Sequence, residues 1–197
     1  MDESGRAQLP LFPLHTVLVP GAALGLRIFE PRYLDLVREC GRSGGGFGIC
    51  MLLRGGQDDS AAVPAAVGTL ARIEDFGTGD DGLLTLQVRG VRRFRVLDTR
   101  VRDNGLAVAR VQWLAPDGGE ELRPEHGLLA ELLRRILEQV GNAAAQPSPA
   151  QLDDAAWVGW RLVELLPLED VQRQALLQED DPHARLDQLL RLLPGDG

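Results

Sequence analysis

The chain has 197 residues, 44% hydrophobic and 25% charged, the balance of an ordinary globular protein long enough to bury a core without disulfides or metals. All 21 basic residues are arginine, which excludes a lysine-dependent P-loop, Schiff-base chemistry and a serine–lysine hydrolase. The net charge of −8 belongs to one end: residues 1–118 hold 14 Arg against 14 Asp plus Glu, and residues 119–197 hold 7 against 15, so the C-terminal half is a poor partner for a polyanion.

Apolar segments between Leu9 and Phe29 are punctuated by Pro10, Pro13, Pro20 and Gly21, which predicts two short strands. Pro31 suits a first helical turn, and Tyr33, Leu34, Leu36 and Val37 predict a helix that stops at Gly41. Gly44 to Gly46 lead into a predicted strand, Phe47 to Leu53, and a polar loop, Arg54 to Ser60. Four further strands are predicted at Val67–Phe76, Leu83–Gly90, Arg92–Arg102 and Leu106–Leu114, with hairpin turns at Gly79-Asp80-Asp81-Gly82 and Asp103-Asn104-Gly105.

Beyond Pro116-Asp117-Gly118-Gly119 the period changes to that of helices. Leu128, Leu129, Leu132, Leu133, Ile136, Leu137 and Val140 form one apolar stripe. Ser148-Pro149-Ala150-Gln151 reads as a capping box opening a second helix that runs to about Leu166; a third segment follows Pro167 and a fourth starts at Asp181-Pro182. The expected fold class is α+β: a β-rich antiparallel sheet curled into a barrel over residues 1–118, then a small α-helical bundle over residues 119–197.

Chemistry is sparse. Ser4, Ser43, Ser60 and Ser148 lie in predicted loops or at a cap, none in a G-x-S-x-G elbow, and His15, His126 and His183 lack ligand neighbours at zinc-like spacing. Asp80-Asp81, Asp153-Asp154 and Asp180-Asp181 sit where acids cap turns and helices, and Cys40 and Cys50 read as small buried hydrophobes. No catalytic residue, metal site, cofactor or nucleotide is expected. Six arginines lie between Arg89 and Arg102, and Arg92, Arg93 and Arg95 are the candidates for a nucleic-acid contact, although alternation with Phe94 and Val96 is also that of a solvated strand face. No apolar run reaches the roughly 18 residues of a membrane span, and the first fifteen residues carry Asp2, Glu3 and two prolines without a basic lead-in, so a cytoplasmic protein is expected.

Leu9-Pro10-Leu11-Phe12-Pro13-Leu14, Val17-Leu18-Val19-Pro20-Gly21 and Leu24-Gly25-Leu26-Arg27-Ile28-Phe29-Glu30-Pro31-Arg32-Tyr33 closely resemble the opening of the N-terminal substrate-binding domain of Lon proteases. Val67 to Ile73 and Gly90 to Val96 look like that family's internal strands, and Leu165-Leu166-Pro167-Leu168, Gln174 to Gln178 and Arg185-Leu186 are similar to its helical part. The resemblance covers nearly the whole chain and implies a PUA-like pseudo-barrel followed by a helical bundle. It looks like the stand-alone bacterial members, without the ATPase and peptidase modules. The implied function is non-catalytic binding of unfolded or partly unfolded polypeptide, with or without strand addition, through an apolar patch whose candidates are Leu24, Leu26, Phe29, Tyr33 and Phe47. RNA binding through the arginine strands, and docking of the acidic helices onto a separate protease or ATPase, are the alternatives.

Overall fold

A computed structural model describes residues 5–53, 63–140 and 146–193, and divides the chain into two compact units, Met1–Ala115 and Pro116–Gly197. Among the described residues the first holds seven strands and one helix in the order β1 (Arg6–Leu14), β2 (Ala23–Ile28), α1 (Pro31–Ser43), β3 (Phe47–Leu53), β4 (Val63–Pro64), β5 (Val67–Thr78), β6 (Leu84–Val101) and β7 (Ala107–Trp113). Strands pair in the order β1-β7-β6-β5-β3-β4, and a parallel pairing of Leu11–Leu14 with Gly48–Met51 joins β1 to β3. Five strands thereby close on themselves into a ring. The polar loop read at Arg54 to Ser60 lies outside the described residues.

Alternation along the strands explains the core. Leu9, Leu11, Cys50, Phe94, Ala109 and Val111 point inward and form one buried cluster. Each fully buried large side chain of this kind contributes roughly 1.5–3 kcal/mol. Phe12 ties α1 to the barrel, with ring centroids 4.1 Å from Tyr33 and 5.9 Å from Phe47.

Two predicted strands prove to be one. Leu83–Gly90 and Arg92–Arg102 belong to the single 18-residue β6, which pairs with β2 through Leu84–Arg89 and with β7 through Phe94–Val101. Gly90 marks this change of partner: a Cβ there would stand 2.2 Å from the Val19 carbonyl oxygen, so only glycine lets the Pro20-Gly21 turn approach. Val91 is the extra residue of a bulge opposite Leu70/Ala71, and it gives the strand a bend without ending it.

Helix α1 also outruns its expected stop. One glycine costs a helix only about 1 kcal/mol, and α1 passes Gly41 to end at Gly44, whose φ of 66° and N–H to the Cys40 carbonyl (2.9 Å) form a left-handed cap. At its other end Arg32 pairs with Glu30 at 2.7 Å.

The second unit contains a 3₁₀ turn (Pro124–His126), α2 (Gly127–Val140), α3 (Pro149–Leu152), α4 (Ala155–Leu165), α5 (Asp170–Gln178) and α6 (Pro182–Leu192). Ser148 and Gln151 form the expected capping box. The helix read from Ser148 to Leu166 is two, because the Asp154 side chain accepts from Ala156 and Trp157 N–H (2.9 and 3.0 Å) and so starts a new helix where the first would have continued. Leu129, Leu133, Val158, Leu162, Leu176, Leu186 and Leu189 are buried in this unit. Among the described residues no helix is long and apolar enough to cross a membrane.

Candidate functional site

The outer half of the β2–β6–β5 ribbon carries apolar residues in facing rows. Leu24, Val88 and Ile73 are in register, as are Leu26, Leu86 and Phe76, and side chains directly opposite in antiparallel strands share a face. Ile73 and Phe76 are three residues apart and would point oppositely in a regular strand. A register shift between Ile73 and Asp75 inserts Glu74 and turns both to the same side.

This face forms one wall of a groove of about 680 Å³; Val37, Cys40 and Gly41 of α1, with Gly44 and Gly45 behind them, form the other. Ile73, Phe76, Leu84 and Leu86 supply its apolar lining, with Arg72 and Glu74 at its edge. Phe76 is 74% exposed, a large aromatic ring held in water beside an apolar depression. Covering such a ring is worth roughly 2 kcal/mol. Volume and lining are those of a site for apolar side chains. Cys40 adds no reactivity, because burial, assisted by Glu39, pushes its thiol up to about 11 and keeps it protonated.

Of the five apolar candidates read from the sequence, three are buried in the core and line no part of this groove: Leu26 (7% exposed), Tyr33 (8%) and Phe47 (0%). Leu26 faces Leu86 across β2 and β6, while Tyr33 and Phe47 pack on Phe12. Phe29 is exposed at the β2–α1 junction and Leu24 is half-buried. Phe76, Ile73, Leu84, Leu86 and Val37 were not singled out by the sequence. Glu74 breaks the alternation that would have grouped the two β5 residues, and helix and ribbon meet only in the fold.

The arginine strands are similarly reassigned. Arg93 is buried, so it cannot serve as a phosphate contact at the surface. Arg92 lies over the Trp113 ring at 4.9 Å and donates to the Leu114 carbonyl at 3.4 Å. Arg95 is exposed. Around them Arg89 pairs with Glu74 at 2.5 Å, Arg102 with Glu39 at 2.6 Å and Arg110 donates to Asp98 at 2.7 Å, which spends much of the positive charge on internal carboxylates.

Two histidines that the sequence separates by 57 positions meet in the helical unit. His126 and His183 are both buried, their rings stacked at 5.4 Å with Nδ1 atoms 3.4 Å apart. Their outer Nε2 atoms face Asp187 (2.8 Å) and Glu120 (3.3 Å), which fastens α6 to the turn before α2. No set of three metal-ligating side chains occurs among the described residues.

A family model of the ATP-dependent protease La (LON) substrate-binding domain matches residues 8–194. A crystal structure of a Lon N-terminal domain protein from Xanthomonas campestris is 60% identical with a TM-score of 0.82, covering 95% of this chain and 99% of that one. Protein cereblon of Xenopus tropicalis is 31% identical over 57% of this chain and 25% of its own length. Lon protease 2 of Myxococcus xanthus is 26% identical over 94% of this chain and 23% of its own length. The chain thus spans about a quarter of each of these two curated relatives.

Proposed function

Because the chain belongs to the Lon substrate-binding domain family, we propose that it is a non-catalytic module that holds unfolded or partly unfolded polypeptide by apolar side chains seated in the groove between α1 and the β5–β6 ribbon. The observation that carries this reading is the exposed Phe76 ring beside an apolar depression in a fold whose family is defined by substrate binding.

Side-chain recognition is favoured over strand addition. Beyond Ala71, β5 keeps β6 on one side and has no strand on the other among the described residues, which looks like an open edge. That edge is blunted: the bulge at Glu74 interrupts its repeat, and the Phe76 N–H is already satisfied by Asp75 Oδ1 at 2.9 Å. Phe29, at the β2–α1 junction, is a second exposed aromatic on this unit.

The test is fluorescence anisotropy of a labelled, permanently unfolded polypeptide and of a single-stranded RNA, each titrated with the protein at physiological salt. Phe76→Asp removes the burial of an aromatic ring and places a charge on an apolar wall, so polypeptide affinity should fall by about tenfold or more while circular dichroism stays unchanged. Affinity for RNA but not for polypeptide, or polypeptide binding indifferent to Phe76→Asp, would overturn the reading.

A further inference from the structure

Six arginines of the barrel unit are matched to an acid among the described residues. Arg27 pairs with Asp81, Arg32 with Glu30, Arg38 with Asp35, Arg89 with Glu74, Arg102 with Glu39 and Arg110 with Asp98. Arg72 differs. It lines the groove and is exposed, yet no carboxylate among the described residues lies within ion-pair distance of it. The acid nearest to it along the strand, Glu74, is occupied: Arg89 Nε meets its Oε1 at 2.5 Å, and the same guanidinium is anchored on the Gly21 carbonyl at 2.8 Å. The groove therefore carries one positive charge that no carboxylate among the described residues answers.

We infer that the groove selects apolar segments carrying an acidic side chain beside the apolar anchor, and that Arg72 is the residue that reads this acid; the inference rests on the proposal that the groove holds polypeptide. Ile73 and Phe76 form the wall that receives the anchor, and Arg72 lines the same groove. The long arginine stem can lie along that wall while its planar head remains in water to meet a carboxylate. Because the depression is a groove, chain can run through it, and the carboxylate is that of an internal Asp or Glu rather than a chain end. A lysine at the same place meets like charge and is disfavoured. Selection is modest by construction: a pair at a solvated edge is worth roughly 0.2–1 kcal/mol, or about 1.5- to 5-fold in affinity.

The experiment uses three labelled peptides of one apolar sequence that differ only in carrying Glu, Gln or Lys beside a central Phe. They are titrated against the full chain and its Arg72→Gln, Arg72→Glu and Phe76→Asp variants. The unmodified protein should rank them Glu, Gln, Lys, with the spread collapsing near 1 M salt, where the screening length falls to about 3 Å. Arg72→Gln should erase the preference for Glu over Gln, and Arg72→Glu should invert the order. If all three peptides bind through Phe76 but Arg72→Gln leaves their ranking untouched, or no ranking exists, Arg72 is not the reader and the groove assignment survives. If none binds, or binding ignores Phe76→Asp, the groove assignment fails and the inference falls with it.

Discussion

Asp117 and Arg185 offer a quantitative test of the helical unit. The Arg185 side chain has no exposed surface and that of Asp117 only 9%. Its guanidinium lies over the Trp160 ring at 3.5 Å and donates to Asp117 Oδ1 and Oδ2 (3.3 and 3.5 Å), to the Leu176 carbonyl (3.3 Å) and to the Glu179 carbonyl (2.7 Å). The Trp160 indole N–H donates to the same carboxylate. Asp117→Ala strands a buried cation among backbone carbonyls and also orphans that N–H, at a cost of about 3–5 kcal/mol, a large share of the roughly 5–15 kcal/mol that keeps a domain folded. Arg185→Met keeps the stem's bulk but strands the carboxylate, with a similar penalty. The double variant strands neither charge, so it should cost at least about 2 kcal/mol less than the sum of the single changes. Urea unfolding followed by far-ultraviolet circular dichroism reads this unit well, since it carries five of the six α-helices among the described residues. A coupling below about 0.5 kcal/mol would show that the two charges do not meet in a dry site, and the account of this unit's core would be wrong.

Three further outcomes follow from the geometry. A Cβ at Gly48 would stand 2.6 Å from Phe94 Cζ and 2.7 Å from Leu11 Cδ2, so Gly48→Ala should destabilise by about 1–3 kcal/mol; because both clashes are with side chains, Phe94→Leu should recover much of the loss in thermal melts, and no recovery would place the strain elsewhere. Burial pushes Cys50 up to about 12 and Cys40 up to about 11, so iodoacetamide at about pH 8 should label both thiols slowly in the native protein and rapidly in guanidinium, and fast native labelling of Cys50 would contradict its place in the core. The Ala184 and His183 N–H groups hold the Asp181 carboxyl below the usual carboxylate range, so its capping contribution is present above the unfolded pKa of about 3.9 and is lost as pH falls through the lower folded value. Asp181→Ala should therefore cost about 1 kcal/mol near pH 7 and progressively less in strong acid, whereas a penalty that does not change with pH would refute a cap that depends on charge.

Several elements were readable because their signals are local. Alternation at Leu84, Leu86 and Val88, the Gly79 to Gly82 turn and the Ser148 capping box each depend on neighbours in sequence, and each appears where expected. Gly90 misled for the opposite reason: glycine reads as a break, but its work there is to admit the Val19 carbonyl, a contact across 71 positions. The site was less legible for a related cause. The motif residues Leu26 and Tyr33, like the candidate Phe47, help to build the junction between β2, α1 and β3, and building a junction means being buried. Phe76 lies in a stretch whose alternation is disrupted by a bulge, and the sequence offered nothing to mark the ring as an exposed one. Similarly, the His126–His183 pair joins a turn to α6 and has no signature at either position.

The pairing of β1 with both β3 and β7 also bears on how the protein is made. Arg6 to Pro10 find their partners in Gln112 to Val108, about a hundred residues downstream. At a synthesis rate of about 5–20 residues per second, the first strand waits roughly 5–20 s after its own translation before the strand that completes its pairing exists. During that interval Leu9 and Leu11, destined for the middle of the core, belong to a chain that can form hairpins but cannot close the ring. Closure then depends on bringing distant segments together, the slow kind of contact in folding. The protein thus passes through a long-lived unfinished state before its barrel closes.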